Sequence, residues 1–212
     1  MKSISNRLGV HFAACAAVTA GVVASQADAE LVYHSLNQVI PANGDGLYFN
    51  LVTRAQDSGP VAGWDMNPYG TTSLSFYGST NPTAQFVSIS AYTGEVSAIA
   101  QGFFISSALP TNSTVNTARF NSTKGGTVWT DGYTGDWSLN ATNIIGFKFT
   151  GELGQTLYGW ARFQLGASEA VRTFVDYAYD DAGGGVYAGV VPAPGALALI
   201  GLAGFAARRR RA

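Results

Sequence analysis

Apolar and polar residues alternate in short runs between Glu30 and Val191, and turn-forming residues separate one run from the next. Alternation with a period of two is typical of a β-strand that buries one of its faces. The clearest run, residues 157–165, places Leu, Gly, Ala, Phe and Leu on one face and Tyr, Trp, Arg and Gln on the other. No convincing helical period occurs in this part of the chain, which is therefore predicted to be all-β.

The spacing of the runs predicts about ten strands joined by short connections. Turn signals rich in Asn, Asp, Gly and Pro occur at 43–46, 57–60, 67–68, 81–82 and 183–185. Besides the clear runs that start near residues 47, 73, 86, 145, 157 and 171, strands are expected at 31–40, 60–66, 95–105 and 185–190. Short connections favour an antiparallel β-sandwich or jelly roll over a fold with crossover helices.

One stretch departs from this pattern. Residues 106–127 are rich in Ser, Thr and Asn and are expected to form an irregular excursion with one edge strand around 117–120. No internal repeat or second domain is found. We therefore predict a single β-sandwich body over residues 30–190, flanked by an N-terminal signal helix and a short C-terminal apolar helix.

Residues 1–29 have the three regions of a secretory signal peptide in the correct order. Lys2 and Arg7 form the basic start, and an apolar, uncharged stretch follows. The small-x-small pattern that a signal peptidase binds consists of Ala27, Asp28 and Ala29, followed by Glu30. We predict export through the Sec machinery and cleavage before Glu30. Cys15 leaves lipoprotein-type cleavage open as an alternative, although Phe12 stands where a branched aliphatic residue is usual.

Residues 191–212 form a tail with three parts. The tail comprises Pro192, Ala193, Pro194 and Gly195, then the apolar residues 196–207, and finally Arg208, Arg209, Arg210 and Arg211. As a helix the apolar part is only about 20 Å long, which is short for a complete membrane span. We expect it to insert transiently, with the arginines held on the cytoplasmic side of the membrane.

This tail resembles the PEP-CTERM sorting signal of exported bacterial proteins, in which a Pro-x-Pro motif precedes an apolar helix and a basic end. Ala193 stands where the family carries Glu, so the tail is a Pro-Ala-Pro-Gly variant. The resemblance implies that an exosortase-type membrane enzyme recognises residues 192–194 and removes the tail. The body would then be released or attached at the cell surface.

The last third of the body carries a second resemblance, in the segments 145–149, 158–162, 175–179 and 188–189. These segments are similar to ones that occur in the same order in exported surface proteins with such tails. The resemblance implies a β-sandwich body in the cell envelope, at the cell surface or in the extracellular matrix, and no catalytic residue comes with it. Gly159 is expected to allow close packing beneath an aromatic neighbour.

The charge and the scarce reactive residues exclude several functions. Residues 30–191 hold 12 acidic and 6 basic side chains, a formal charge of −6, whereas nucleic-acid binding needs a basic surface. Loss of the signal removes Cys15, the only cysteine, and leaves His34 as the only histidine. A Cys nucleophile and a two-histidine metal site are thereby excluded. His34 is predicted to be an ordinary strand residue.

The preferred hypothesis is an exported protein of the cell surface or extracellular matrix, without catalytic activity or cofactor. One alternative is a carbohydrate-binding module, in which exposed aromatic rings bind extracellular polysaccharide. The main candidates are Trp129, Tyr133 and Trp137, which lie in a stretch rich in Gly, Asp and Thr. The other aromatic residues considered for such a platform are Trp64, Trp160 and Tyr69.

A second alternative is a glycan-active enzyme, which needs two carboxyl groups about 5–10 Å apart. The acids available for such a pair are Asp65, Glu95, Asp131, Asp136, Glu152 and Asp176, and the sequence does not pair them. A structural calcium ion also stays open as an alternative, bound by Asp45, by Asp57, or by Asp180 and Asp181. The loop at 43–46 fits only part of the EF-hand pattern, because Pro41 and Val52 occupy ligand positions of that pattern.

Overall fold

The computed structural model describes residues 30–79, 84–90, 94–112, 118–121, 125–132 and 135–191. The predicted signal helix and the predicted C-terminal helix lie outside these ranges. The predicted site residues that also lie outside them are Ala27, Ala29, Tyr133, Pro192, Ala193, Pro194, Gly195, Arg208, Arg209, Arg210 and Arg211.

Fourteen strands make up the regular structure of the described residues. They are β1 (Leu31–Val39), β2 (Tyr48–Phe49), β3 (Gln56–Asp57), β4 (Met66–Tyr69), β5 (Ser75–Gly78), β6 (Gln85–Ser88), β7 (Phe104–Ile105), β8 (Thr111–Asn112), β9 (Arg119–Asn121), β10 (Gly125–Thr127), β11 (Thr142–Thr150), β12 (Thr156–Leu165), β13 (Arg172–Asp180) and β14 (Val186–Tyr187).

The strands form a seven-stranded sheet, a five-stranded sheet and a two-stranded ribbon. The larger sheet has the order β1-β13-β12-β11-β6-β9-β8, and the smaller sheet has the order β10-β5-β4-β2-β3. Strands β7 and β14 form the ribbon. Among the described strands, neighbours are antiparallel except β8 and β9, which are parallel. The predictions of an all-β fold and of antiparallel sheets are confirmed.

The two large sheets share one hydrophobic core, and their aromatic rings interlock across it. Phe49 of the smaller sheet contacts Phe174 of the larger sheet with ring centroids 5.2 Å apart, and Phe76 contacts Phe163 at 5.1 Å. Both contacts are edge-to-face, the geometry that aromatic pairs favour. The arrangement is compatible with a β-sandwich.

A second core lies on the opposite face of the larger sheet, beneath the β7–β14 ribbon. It joins Trp160 of β12 to Ile105 and Val186 of the ribbon. The predicted role of Gly159 is confirmed, because a Cβ atom there would lie only 2.5 Å from the ring of Phe147. The larger sheet is therefore covered on both faces at β12.

The His34 side chain lies in β1 as predicted, with its ring 5.0 Å from that of Tyr177 across the β1–β13 pair. Burial lowers the pKa of His34, and the charge of Arg54 lowers it further. This position agrees with an ordinary strand histidine.

Several sequence-based boundaries are wrong. Asn67 and Pro68 were expected in a turn but lie within β4, where Pro68 pairs with Phe76 and its carbonyl oxygen accepts the Leu47 N–H at 3.0 Å. The predicted strand at 60–66 begins instead as a turn, in which the Trp64 N–H donates to the Val61 carbonyl oxygen.

The expectation for residues 106–127 also needs correction. The described part of this range contains three strands, β8, β9 and β10, and β9 lies inside the larger sheet between β6 and β8. The reason is Phe120, which is fully buried in the second core and pairs with Val87 of β6. Of the strand predicted at 95–105, residues 104–105 form β7, and Glu95 makes an isolated β-bridge to Thr127.

Candidate functional site

The alternative hypothesis of a sugar-binding platform at 129–137 requires exposed rings at Trp129 and Trp137. Trp129 is 45% exposed, but Trp137 is only 2% exposed, so the structure contradicts this requirement at Trp137, and Tyr133 lies outside the described residues. The indole of Trp137 packs 5.7 Å from the ring of Phe76, and its Nε1 donates to the Val96 carbonyl oxygen at 2.8 Å. Burial of the ring is favoured because its single polar group is satisfied inside the core.

A different set of aromatic rings meets on the outer face of the smaller sheet. We call Tyr48, Trp64 and Tyr77 the aromatic row. The Trp64 ring lies 5.0 Å from that of Tyr48 in an edge-to-face contact, and 6.1 Å from that of Tyr77. The planes of Trp64 and Tyr77 differ by 31°, so these two rings are tilted relative to each other. Tyr77 is 43% exposed, and the other two rings are half-buried.

The pleat of the strands explains why these rings face outwards. Phe49 and Phe76 point into the core, and the tyrosines beside them, Tyr48 and Tyr77, therefore point the opposite way. Trp64 joins them because the chain turns at 61–64, with Gly63 in the left-handed region at φ 62°. Strands β5, β4 and β2 are neighbours in the sheet, which brings together residues that are far apart in sequence.

Polar groups surround the aromatic row, and one of them, the exposed Asp57 opposite Tyr48 in the β2–β3 pair, is charged. Asn67 lies opposite Tyr77 in the β4–β5 pair, and its Oδ1 accepts the Leu47 N–H at 3.2 Å. The hydroxyls of Ser75 and Thr127 lie 3.1 Å apart on the neighbouring β5–β10 pair. Flat aromatic faces bordered by amide, hydroxyl and carboxylate groups suit a neutral ligand with both apolar and hydroxyl surfaces, as a pyranose ring has.

A cleft of about 500 Å³ lies next to the aromatic row. Residues 50–53 and 62–65 form one side, and the β11–β12 turn at 150–154 forms the other. Two of the predicted candidate acids line it, Asp65 and Glu152. Gly63 lines the cleft next to Trp64, so the row and the cleft share the same chain segment.

Asp65 is the buried acid of this cleft. Its Oδ2 accepts the Leu51 N–H at 2.7 Å, and the carboxyl is almost completely removed from solvent. Burial raises its pKa from the usual value near 3.8 to about 7, against the opposing effect of the Leu51 hydrogen bond. Asp65 is therefore substantially protonated near neutral pH, whereas Glu152 is exposed to solvent.

Asp176, another candidate acid, has a structural partner. Its carboxylate forms a two-point contact with the Arg162 guanidinium, and the Tyr33 hydroxyl donates to it at 2.8 Å. The hydrogen bond and charge of Asp176 raise the pKa of Arg162. This bidentate pair fixes three neighbouring strands, β1, β13 and β12.

The remaining candidate acids lie near one another, away from the cleft residues. Burial raises the pKa of Glu95, hydrogen bonds from Ser90 and Ser97 lower it, and the charges of Asp136 and Asp131 raise it further. The pKa of Asp131 is itself raised, first by a hydrogen bond with Asp136. Electrostatics therefore links Glu95, Asp131 and Asp136, and the structure gathers neither Asp65 nor Asp176 with them.

The acids proposed as calcium ligands include several that form hydrogen bonds within turns or to the backbone of Glu30. Asp57 Oδ1 accepts the Ser58 N–H at 2.7 Å, and Asp180 Oδ1 accepts the Ala182 N–H at 2.8 Å. Asn43 closes its own turn by accepting the Gly46 N–H, and Asp45 is exposed beside it. Within the described ranges, no three His, Cys, Asp or Glu side chains lie together as a metal site would require.

No helix among the described residues is long and apolar enough to cross a membrane. No protein-family model, curated protein or solved structure matches the chain.

Tyr48 and Tyr77 were missed as candidates from sequence, whereas Trp64 was considered. A signal for the two tyrosines was present, because each alternates with a core phenylalanine and so occupies an outward position of a strand. The alternation does not reveal the strand order, and it is the strand order that makes the two tyrosines neighbours of Trp64.

Proposed function

We propose that the chain is an exported β-sandwich protein of the cell surface or extracellular matrix, and that it binds neutral polysaccharide through the aromatic row. The observation that carries the binding proposal is the contact of Tyr48, Trp64 and Tyr77 on one outward sheet face. The export proposal depends on the signal at 1–29 and on the PEP-CTERM-like tail at 191–212. Catalysis forms no part of the preferred function.

The boundary proposed for signal cleavage is supported by the contacts of Glu30. Its backbone N–H donates to Asp181 Oδ1 at 3.0 Å, and its carbonyl oxygen accepts the Asp181 N–H. Cleavage before Glu30 turns this nitrogen into an α-ammonium group that faces a carboxylate. The neutral donor then becomes a charged one, which strengthens the contact between the new terminus and the end of β13.

The sorting role of the tail predicts two distinct defects. Replacing Arg208–Arg211 with Ser removes the cytoplasmic charges, so unprocessed chain is expected to pass the membrane and accumulate outside. Pro192→Ala keeps those charges but alters the expected recognition motif, so uncleaved chain is expected to accumulate in the membrane. Cell fractionation and immunoblotting in the native host measure both. Wild-type processing of both variants would refute the sorting role.

The aromatic row predicts binding to neutral glycans in preference to anionic ones. The body carries a formal charge of −6, which repels polyanions, whereas the row itself is uncharged. Affinity electrophoresis of residues 30–191 is expected to show retardation by a neutral β-glucan, xylan or chitin derivative. Trp64→Ala and Tyr77→Ala are each expected to weaken binding on the order of threefold to tenfold, the usual range for one aromatic contact.

Trp129→Ala is the matched control, because Trp129 is as exposed as Tyr77 but is not part of the row. It is expected to leave binding unchanged. Thermal melting of each variant separates lost contacts from lost folding, with Tyr77→Ala the milder change because its ring is the most exposed of the three. Binding that depends on Trp129 and not on Trp64 would refute glycan binding by the aromatic row. A preference for alginate, which is a polyanion, would also refute it.

A glycan-active enzyme is the second candidate, and the Asp65 cleft is the observation that favours it. A carboxyl whose pKa is about 7 can donate a proton to a leaving group at neutral pH, and Glu152 lines the same cleft. A buried acid with a shifted pKa beside a carbohydrate-binding surface is typical of such enzymes. Release of reducing sugar from the same glycans, abolished in Asp65→Asn, is the expected result for this candidate.

A further inference from the structure

The β7–β14 ribbon and the residues after it hold an unusual concentration of exposed apolar side chains. Phe104, Tyr187, Val190 and Val191 are between 37% and 57% exposed, and the rings of Phe104 and Tyr187 lie 4.8 Å apart. We call these four residues the ribbon patch. Contiguous exposed apolar surface of this kind marks a site of contact with a partner or a membrane.

The segments that carry the ribbon patch contain no ionisable side chain. Residues 96–112 and 182–191 lack Asp, Glu, Lys, Arg and His, although the body as a whole is acidic. The charged side chains from elsewhere that hydrogen-bond to these segments include Glu95, whose Oε1 accepts the Ser97 hydroxyl at 3.2 Å. Lys148 Nζ donates to Thr111 Oγ1, and Asp180 Oδ1 accepts the Ala182 N–H. Transfer of an uncharged apolar face from water to a lipid interface carries only a small desolvation cost, so such a face suits contact with lipid.

The position of the tail decides which occupant fits this face. Val191 belongs to the ribbon patch, and the proposed membrane-inserting residues 196–207 follow after four residues, 192–195. Four residues span at most about 14 Å even when fully extended. Whenever the tail lies in a bilayer, the ribbon patch is therefore held close to the lipid surface.

We propose that the ribbon patch rests in the interfacial layer of the membrane while the tail is inserted. This inference depends on the tail insertion put forward above. Tyrosine side chains favour the headgroup region, and Tyr187 supplies one, with the apolar ring of Phe104 beside it. A patch of four side chains binds lipid only weakly by itself, so removal of the tail frees the body.

Contact with the membrane also orients the cleavage motif. With the ribbon patch against the lipid, the described body ends at the bilayer surface with Val191, and residues 192–194 follow directly in the sequence. A membrane-embedded processing enzyme meets its substrate at that level. The inferred contact therefore presents the Pro-Ala-Pro segment to the enzyme and turns the aromatic row of the opposite sheet towards the exterior.

The test uses residues 30–212, which contain no cysteine, in vesicles of phosphatidylethanolamine and phosphatidylglycerol. Single-cysteine variants Tyr187→Cys, Tyr77→Cys and Leu199→Cys each carry a nitroxide label. Electron paramagnetic resonance then compares collision with oxygen, which concentrates in lipid, and with a water-soluble nickel chelate. The oxygen-to-nickel accessibility ratio is expected to be several-fold higher at positions 187 and 199 than at position 77.

A label at 187 that is as accessible to nickel as the label at 77, with 199 in the bilayer, would overturn the inference and leave tail insertion standing. A label at 199 in water would overturn both. The same Tyr187→Cys variant in residues 30–191 is expected to be accessible to nickel. Shielding there, with dimer formation in solution, would mean that a second copy covers the ribbon patch and would also overturn the inference.

Discussion

Replacing Trp160 with alanine is expected to lower the free energy of unfolding of the body by about 3–5 kcal/mol, the range for removing a large buried aromatic side chain. The indole is completely buried on the outer face of β12. Its neighbours across the sheet are Gly146 on β11 and Ala178 on β13, whose small side chains make room for it. Ile105 of the ribbon belongs to the same buried cluster, so truncation leaves a cavity that the rigid strands cannot fill.

Chemical denaturation of residues 30–191, wild type and variant, measures this loss. Trp160→Phe is the matched control because the indole Nε1 has no hydrogen-bond partner among the described residues. Phenylalanine keeps most of the ring and deletes only that unsatisfied donor, so its cost is expected to be below about 1.5 kcal/mol. Trp129→Ala, at an exposed site, is expected to cost less than about 1 kcal/mol. A similarly small loss for Trp160→Ala would mean that the ribbon does not cover β12.

The long strands of the larger sheet were predictable because both their faces carry a repeating pattern. Alternation predicted runs from residues 145, 157 and 171, and the observed strands are β11, β12 and β13 at 142–150, 156–165 and 172–180. The shorter strands were less predictable. Strands of two or three residues contain too few positions for a period, and contacts distant in sequence decide whether they pair.

Burial of single residues in turns and at strand ends was the least predictable feature. Trp137 follows a Gly- and Asp-rich stretch that is typical of solvent-exposed loops, yet its ring is buried through contacts with Phe76 and Val96. Arg172 is a similar case. Its guanidinium is buried and donates to the carbonyl oxygens of Pro41, Gly70 and Ser73, which belong to loops far away in sequence. A local sequence pattern does not identify hydrogen-bond partners that lie so far away along the chain.

The candidate site illustrates the same limit. An outward aromatic residue on a strand can be recognised from alternation, but the aromatic row exists only because β4 lies between β5 and β2. The Asp65 cleft likewise depends on the β11–β12 turn lying opposite residues 50–53. The predicted sorting signals differ from both, because the prediction depends only on the linear order of their residues.

The stability of the body is expected to fall by about 4 kcal/mol, through Asp65 alone, as the pH rises from about 4 to about 7. The pKa of Asp65 is about 7 in the folded protein and near 3.8 when the chain is unfolded. Between these values the folded state holds a proton that the unfolded state has lost, so each increase in pH favours unfolding. The stabilisation is complete below about pH 4 and is lost above about pH 7.

Asp65→Asn is expected to remove this dependence, because the amide stays neutral at every pH and its Oδ1 can still accept the Leu51 N–H. Subtracting the variant's free energy of unfolding from that of wild type, at pH values from 4 to 8, isolates Asp65 from other groups, such as Glu95, whose pKa is also raised by burial. As the pH rises, the free energy of unfolding of wild type is expected to fall relative to that of the variant. Asp57→Asn is the control, since Asp57 is exposed on β3 and accepts only from the adjacent Ser58. Parallel curves for wild type and Asp65→Asn would mean that water reaches Asp65 and keeps its carboxylate charged, in which case Asp65 could not supply the proton that glycan cleavage at neutral pH requires.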